Sequence, residues 1–194
     1  MDRATVTLSS SAFNSADQDV VCDLRPALSG KTVRVTVLVQ LLADLPDLIE
    51  PIGRMRFVEW GDDDNVDEWI STTRREAGRE DLPVTWVAVD ETGTALGAVA
   101  LGPSDVPGRP ELVPCVWGMV VRSDLRGRGI GRLLLQRLER YAADHRYPAV
   151  WVLTGPPAVG YYERCGWQRA AELPAGTLLR KQTGNTLNSS RPTS

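Results

Sequence analysis

The 194-residue sequence has few of the residues from which metal centres and redox sites are built. It contains one histidine, His145, and its three cysteines are scattered, with no Cys-x-x-Cys pair among them. One histidine cannot form the usual zinc site, and the lack of a Gly-x-Ser-x-Gly motif argues against a serine hydrolase. We therefore expect no metal, and the odd, scattered cysteines favour a reduced, cytoplasmic protein.

The sequence also lacks an excess of positive charge and any long apolar run. Its formal net charge is −3, which argues against nucleic acid as the main partner and is compatible with an amine substrate. No apolar stretch approaches the roughly 20 residues of a membrane helix, and no basic segment followed by an apolar one marks a signal peptide. We expect neither a nucleic-acid nor a membrane partner.

The composition indicates a single globular domain with polar ends. With 42% hydrophobic residues, the chain is long enough to bury a core. Residues 1–30 are polar and irregular and predict a flexible N-terminal arm, within which residues 20–24 are compatible with a short strand. Residues 31–181 form the predicted domain, and residues 182–194, which are rich in Ser, Thr and Asn, predict a disordered tail.

The most informative segment, residues 120–135, predicts an anion-binding turn between a strand and a helix. Three glycines occupy alternate positions of the turn: Gly127, Gly129 and Gly131. They leave the backbone N–H groups uncovered, at a helix end where these groups have no internal partner and the dipole is positive. Three arginines flank the glycines and add positive charge: Arg126, Arg128 and Arg132. The combination predicts a pyrophosphate site.

The spacing narrows the choice of pyrophosphate ligand. A P-loop would need Gly-x-x-x-x-Gly-Lys-Ser/Thr, which does not occur, and a dinucleotide fingerprint would need glycine where Arg132 stands. The Arg-x-x-Gly-x-Gly string from Arg126 to Gly131 resembles the acyl-CoA signature of the GCN5-related N-acetyltransferases, the GNAT superfamily. The alternative is a glycine-rich turn with solvated arginines.

A second motif lies downstream, in residues 158–167. Tyr161-Tyr162 and Gly166-Trp167 resemble the Phe-Tyr-x-x-x-Gly-Phe motif of the same superfamily, on a short helix that Gly166 would close in a left-handed conformation. In the family, the tyrosine of this motif lies near the CoA sulfur and protonates the leaving thiolate, and Tyr162 is the residue that matches it. Tyr161 matches a packing aromatic. The alternative is that both rings only attach the helix to the sheet.

The predicted order of elements agrees with this resemblance. Periodicity and turn residues predict β-α-α-β-β-β-α-β-α-β-β, the order of the GNAT acyl-CoA N-acyltransferase fold. This α/β (α+β) fold has a mixed, mostly antiparallel sheet with helices on both faces. The resemblance extends over residues 33–181 and is specific only across residues 110–167. Within the strand at residues 112–121, Gly118 predicts a β-bulge.

The resemblance implies where acetyl-CoA would bind. The pantetheine arm would pair with the backbone of the strand before the glycines, in a gap where that strand splays from the next: Met119, Val120 and Val121. The N–H of Met119 would face the developing oxyanion. The pyrophosphate would lie on the backbone of the turn: Arg126, Gly127, Arg128, Gly129, Ile130, Gly131 and Arg132.

The general base is less clearly marked. Family members often carry a glutamate on the strand that holds Met119, but residues 115–119 include no carboxylate. Glu59, next to the acidic run of residues 62–64, is the candidate catalytic base, in a segment that lines the acceptor site in relatives. The alternatives are Glu111 at the start of the strand, a water-mediated path, and a purely structural acidic cluster that caps the second helix.

The predicted function is an N-acetyltransferase that moves an acetyl group from acetyl-CoA to a primary amine of a small molecule by direct attack. One alternative is a protein or peptide N-acetyltransferase. Another is a non-catalytic acyl-CoA-binding sensor, which the missing strand carboxylate favours and Tyr162 disfavours. The expected partners are acetyl-CoA as cosubstrate and a small amine, and a homodimer is compatible with the sequence.

Overall fold

The computed structural model describes residues 20–24, 33–62 and 65–183. Most of the predicted flexible arm and all but the first two residues of the predicted tail lie outside these residues. Eight strands are described: β1 (Val20–Leu24), β2 (Val33–Leu41), β3 (Val84–Val89), β4 (Ala95–Gly102), β5 (Cys115–Val121), β6 (Ala149–Thr154), β7 (Gln168–Leu173) and β8 (Gly176–Gln182). Four α-helices are described with them: α1 (Ile49–Trp60), α2 (Val66–Arg75), α3 (Ile130–Asp144) and α4 (Pro156–Arg164).

The strands form one sheet in the order β1-β2-β3-β4-β5-β6-β8-β7. Every neighbouring pair in the described sheet is antiparallel except β5 and β6, which are parallel. From β2 onwards the elements follow the order predicted from the sequence, and β1 adds the short strand at residues 20–24. The mixed, mostly antiparallel sheet is therefore confirmed.

Helices cover both faces of the sheet. All six residues of β3 are buried, which an antiparallel strand shows only when neither face meets water. Trp86 packs in the same cluster as Leu134 of α3, whereas its neighbour Val87 packs in the cluster that holds Ile52 of α1. Successive side chains of a strand point to opposite faces, so α1 and α3 lie on opposite sides.

The helix α3 turns a continuous apolar stripe towards the sheet. Ile130, Leu134, Leu138 and Tyr141 are all buried, as their spacing of three and four residues predicted. Truncating one of these leucines to alanine should cost about 2–5 kcal/mol of folding free energy. This packing fixes α3, and with it the glycine-rich turn at its N-terminus.

No helix in the described part of the chain is both long and apolar enough to cross a membrane.

The segment before α1 differs from what the sequence predicts, which is one helix that begins near Pro46, is capped by Asp44 and is kinked at Pro51. The structure has two 3₁₀ turns, Leu42–Asp44 and Pro46–Leu48, followed by α1, and the carboxylate of Asp44 pairs with Arg79. Pro51 lies in the first turn of α1, where backbone N–H groups have no helical partner, so its ring removes no hydrogen bond.

Candidate active site

The centre of the candidate site is a bulge in β5. Two residues of β5, Gly118 and Met119, lie opposite the single residue Val99 of β4, and the register shifts between Ala98 and Ala100. Gly118 has a φ of +47°, a conformation that residues with a side chain rarely adopt. The bulge predicted at Gly118 is thus present, and it re-aims the backbone of the residues that follow.

Beyond the bulge, β5 separates from β6. The two strands are in register at one position only, Cys115 opposite Trp151, where the N–H of Trp151 donates to the carbonyl of Pro114 at 3.0 Å. Across the described strands, the segment from Gly118 to Val121 therefore has no partner in β6. Its free edge is the type of surface with which an extended amide chain such as pantetheine can pair.

The N-terminus of α3 is open to an anion. Gly129 is the N-cap residue, with a φ of +88°, no side chain caps the helix, and its first turn holds no acidic residue. Gly127 has a φ of +75°, and a Cβ atom added at either glycine would have no neighbour within 4 Å among the described residues. The first N–H groups of α3 are thus uncovered, which is the arrangement that binds anions at helix N-termini.

The side chains of the turn take different positions around this opening. The Nε of Arg126 donates to the carbonyl of Val121 at 3.0 Å, and Nη2 of Arg128 donates to the carbonyl of Asp124 at 3.2 Å. Arg132 is exposed, whereas Ile130 is buried in the core, so only its backbone can face a ligand. The predicted positive charge therefore surrounds the open helix end.

The helix α4 carries the second motif on the same side of the sheet as α3. It ends at Arg164, and two residues later Gly166 has a φ of +84°, with the N–H of Trp167 donating to the carbonyl of Tyr162 at 3.1 Å. This is the predicted left-handed helix end. The ring of Tyr162 packs edge-on against that of Trp167, with 5.4 Å between the ring centroids, and the residue is 5% exposed.

The hydroxyl of Tyr162 lies beside the bulge. It donates to Sδ of Met119 at a distance of 3.6 Å. A thioether is a weak acceptor, so this contact leaves the proton available for a stronger one. Burial raises the pKa of Tyr162 well above its usual range, and Cys165 acts in the same direction. The phenol is therefore protonated at neutral pH, as a proton donor must be.

Tyr161 also turns its hydroxyl towards this region. The hydroxyl lies 2.7 Å from the point that a Cβ of Gly131 would occupy, and Cε of Met119 lies 2.9 Å from the same point. Among the described residues the hydroxyl forms no well-aligned hydrogen bond, and its pKa is raised by burial and by the neighbouring thiol of Cys165. The motif predicted Tyr161 as a packing aromatic, and its unpartnered hydroxyl beside the first turn of α3 is a feature that the motif did not indicate.

Glu59 lies at the end of α1, across a cleft from β5. Its carboxylate accepts a hydrogen bond from Nη2 of Arg126, so the predicted base and a predicted cofactor-binding residue form an ion pair. Both residues line a cleft of about 270 Å³, together with Val58, Val120 and Val121. The structure thus brings the predicted base, the end of β5 and the glycine turn together at one opening.

The alternative carboxylates lie in other surroundings. Glu111 is exposed in the loop before β5, and the hydrogen bond from Arg109 lowers its pKa. The helix α2 is capped by Asn65, whose side chain accepts from the N–H of Glu68 at 3.2 Å. The acidic run contributes Asp62, which is exposed, while its other two members, residues 63 and 64, lie outside the described residues.

Arg56 is a further residue of this region that the sequence motifs did not indicate. Its side chain is buried, with Nε donating to the carbonyl of Gly118 at 3.2 Å, and with Nη1 within 2.6 Å of Oε2 of Glu76. Its position four residues after the buried Ile52 was the available signal, because residues four apart share one helix face. The charge of Arg56 nevertheless predicts an exposed side chain, which is why the sequence motifs did not indicate it.

The fold and the bulge-and-turn geometry are those of an acyltransferase domain, and comparison with known families agrees. The profile described as the Acetyltransferase (GNAT) family matches residues 47–167, from the turn before α1 to the residue before β7. This chain belongs to that family. The match includes the bulge, the glycine-rich turn and the tyrosine motif. A search of curated proteins found no significant match.

Solved structures share the fold at low sequence identity. An aminoglycoside 6'-N-acetyltransferase complexed with coenzyme A is 15% identical, with a TM-score of 0.65, covering 77% of this chain and 99% of that one. The GNAT family N-acetyltransferase YhbS from Escherichia coli, in complex with CoA, is 22% identical with a TM-score of 0.59, covering 77% and 83%. The spermidine/spermine N-acetyltransferase SpeG from Vibrio cholerae is 14% identical with a TM-score of 0.57, covering 80% and 97%.

Proposed function

We propose that this protein transfers an acetyl group from acetyl-CoA to a primary amine of a small molecule by direct attack of the amine on the thioester. The observation that carries the proposal is the uncapped N-terminus of α3, which lies beside the free edge of β5. An anion site next to an unpaired strand edge matches a ligand that joins a pyrophosphate to an extended amide chain.

In this proposal the backbone binds most of the cosubstrate. The N–H groups between Arg126 and Arg132 hold the pyrophosphate, and the exposed guanidinium groups add charge at the rim of the site. The backbone from Met119 to Val121 pairs with the pantetheine arm, which leads the thioester to the bulge. Because these contacts use main-chain atoms, side chains such as Val120 and Ile130 remain free to pack in the protein.

The transfer step requires three groups around the thioester. The neutral amine attacks the carbonyl carbon, so a C–N bond forms while the carbonyl oxygen becomes an oxyanion that the N–H of Met119 stabilises. The C–S bond then breaks, and the hydroxyl of Tyr162 gives its proton to the leaving thiolate. The amine loses its proton to the carboxylate of Glu59, directly or through water. The products are an acetamide and free CoA, and water carries a proton from Glu59 back to Tyr162, which restores both groups for the next turnover.

The cleft beside Glu59 supports a small cationic acceptor. The cleft is also lined by three arginines, each of which pairs with a carboxylate: Arg54 with Glu50, Arg122 with Asp124, and Arg126 with Glu59. Once Arg126 turns to the pyrophosphate, the carboxylate of Glu59 can attract an ammonium group, and the volume of the cleft suits a small molecule or the end of a longer amine. Two proteins with this fold are named for an aminoglycoside and for spermidine and spermine, which are polyamines. A small amine is therefore the acceptor class that we propose, and the scattered cysteines favour action in the cytoplasm.

The test is a thiol-release assay with purified protein, acetyl-CoA and two matched panels of acceptors. One panel holds small primary amines, and the other holds peptides with a free N-terminus or a lysine. Turnover with small amines alone supports the proposal, whereas turnover with peptides alone replaces it by a protein acetyltransferase. Binding of acetyl-CoA in calorimetry with no turnover in either panel would identify a non-catalytic sensor.

A further inference from the structure

The guanidinium of Arg56 packs directly against Gly118 in the bulge of β5. A Cβ atom at Gly118 would lie 2.9 Å from both Cζ and Nε of Arg56, closer than real contacts allow. Glycine at position 118 therefore meets two requirements at once, since it adopts the positive φ of the bulge and leaves room for the guanidinium. The side chain of Arg56 and the backbone of Gly118 fit each other as a pair.

Neighbouring groups hold the guanidinium in this place. Nη1 of Arg56 donates to Oγ1 of Thr73 at 3.2 Å and pairs with Glu76, and the two ionic side chains are only 3% and 12% exposed. The carbonyl of Glu76 in turn accepts from Oγ1 of Thr85 in β3 at 2.9 Å. A buried charge is costly unless it is paired, so these contacts fix one orientation of Arg56. The chain of contacts connects α2 and β3 to the bulge.

The hydrogen bond from Arg56 is to the Gly118–Met119 peptide group, which has a role in the proposed reaction. The carbonyl of Gly118 and the N–H of Met119 belong to the same planar, trans peptide group, so fixing the direction of one fixes the direction of the other. A cationic donor on the carbonyl also polarises the group and strengthens its N–H as a donor. The N–H of Met119 is the group that the proposed mechanism assigns to the oxyanion.

We propose that Arg56 is a positioning residue that holds the Gly118–Met119 peptide group of the bulge and thereby aims the N–H of Met119 at the thioester oxygen. The inference rests on the proposed function, which supplies the role of Met119. Arg56 itself does not touch the reacting atoms. Its effect on the reaction comes through the orientation and polarisation of one peptide group.

Two substitutions separate positioning from folding. Arg56→Lys keeps a positive charge opposite Glu76 but loses the Nε–H that donates to Gly118, whereas Arg56→Met removes both interactions. For both variants we expect kcat to fall by at least about tenfold, since loss of an oxyanion donor typically costs about 10²–10³. The Kd for CoA, which lacks the thioester oxygen, should stay within about threefold of wild type.

A second measurement does not depend on turnover. In ¹⁵N-labelled protein, loss of the hydrogen bond to the Gly118 carbonyl should shift the amide resonance of Met119 in both variants. The matched control is Arg75→Met on the exposed face of α2, because Arg75 bonds only to Ser71 and Thr72 of its own helix in the described structure. The control should leave kcat, the Kd for CoA and the Met119 amide unchanged.

The outcomes distinguish this inference from the proposed function. If the wild-type protein turns over no acceptor, the proposed function is wrong, and an unchanged Met119 amide would independently refute the role of Arg56. If wild type is active, Arg56→Lys with a kcat within about threefold of wild type overturns the inference. Because Arg56→Lys retains the buried charge pair, its kcat tests the positioning role of Arg56 even if Arg56→Met fails to fold.

Discussion

Glu59 and Arg126 form an ion pair that joins the end of α1 to the turn before α3. The two residues are 67 positions apart in the chain, and their side chains are 33% and 48% exposed. An exposed pair of this kind contributes only about 0–1 kcal/mol, so a bound pyrophosphate can compete for the guanidinium. Binding of acetyl-CoA would then release the carboxylate that the proposed mechanism uses as a base.

We predict that Glu59→Gln distinguishes the role of Glu59 as a catalytic base from its role as the ion-pair partner of Arg126. If Glu59 is the base, kcat/KM for the amine falls, by about 10²–10⁴ for a lost general base, and the acidic limb of the pH–rate profile flattens. Affinity for CoA should stay the same or increase, because Arg126 becomes free. Kinetics across pH and calorimetry with CoA give the two readouts.

The matched control for this prediction is Glu50→Gln, at the other end of α1. Glu50 is also exposed and also pairs with an arginine, Arg54. The control should leave the pH–rate profile unchanged. A wild-type profile in Glu59→Gln would exclude the catalytic role and leave Glu111 or a water path for the proton.

Local features of the site could be predicted from the sequence. Gly129 and Gly166 fix the ends of helices through their own backbone conformations, and Gly118 marks the bulge for the same reason. Such signals depend on one residue and its neighbours, so no knowledge of the tertiary fold is needed to recognise them. Two of these positions, Gly129 and Gly166, also belong to the motifs that carry the resemblance to the GNAT superfamily, and the family match and the sheet topology confirm the predicted fold.

Contacts between distant segments could not be predicted in the same way. Nothing near Arg56 in the sequence indicates that it lies under Gly118, 62 residues away, and nothing near Glu59 indicates its pairing with Arg126. A rule based on charge alone places both arginines in solvent, which holds for Arg126 but not for the buried Arg56. Their roles depend on how α1 packs across β5, which only the folded chain defines.

We predict that Gly129→Ala weakens CoA binding by roughly tenfold or more, or about 1.4 kcal/mol. A Cβ at this position meets no protein atom within 4 Å, so it projects into the space proposed for the pyrophosphate. The change also forces alanine into a left-handed conformation, which costs roughly 1–2 kcal/mol of stability. Calorimetry with CoA measures the first effect, and thermal unfolding measures the second.

Gly93→Ala provides the control for this strain. Gly93 lies in the turn between β3 and β4, has a φ of +80°, and likewise leaves open space for a Cβ. Both variants should therefore lose similar stability, but only Gly129→Ala should lose affinity for CoA. Equal CoA affinity in the two folded variants would show that the pyrophosphate does not lie on the turn.

We predict that Glu139→Gln increases stability at neutral pH relative to acidic pH. Burial raises the pKa of Glu139, while Lys181 and the hydrogen bond from Trp167 only partly oppose this. A group whose pKa is higher in the folded state stabilises the fold below its unfolded pKa and loses that contribution as the pH rises through its folded pKa. Glutamine cannot ionise, yet its amide oxygen can still accept from Nε1 of Trp167.

The difference in Tm between Glu139→Gln and wild type should thus become more positive from about pH 4 to about pH 7, across the titration range of a glutamate. Glu163→Gln is the control, since Glu163 is exposed and pairs with Arg169 at the surface. A difference in Tm that is independent of pH for Glu139→Gln would mean that the ion pair with Lys181 and the hydrogen bond from Trp167 cancel the effect of burial, and a difference that becomes more negative as the pH rises would mean that they outweigh it.

Finally, we predict that Tyr162→Phe lowers kcat by about 10²–10⁴, the usual cost of a lost general acid. Phenylalanine keeps the ring contact with Trp167, and the hydroxyl donates only to the weak acceptor Sδ of Met119, so the fold should remain intact. Tyr161→Phe is the matched comparison, because the hydroxyl of Tyr161 forms no well-aligned hydrogen bond among the described residues. The measurement is kcat with the best amine, together with Tm for each variant.

The pH dependence adds a second criterion for the donor. Burial raises the pKa of Tyr162, so the wild-type enzyme should keep this proton, and its kcat, through the alkaline range in which an ordinary tyrosine (pKa about 10) ionises. In Tyr162→Phe the thiolate must leave without a proton from this hydroxyl, so CoA should be released more slowly. The KM for the acceptor should stay unchanged, because Tyr162 is not assigned to acceptor binding. If Tyr161→Phe shows the larger loss of kcat, the donor is Tyr161, whose hydroxyl lies beside Gly131, and the assignment made from the motif is wrong.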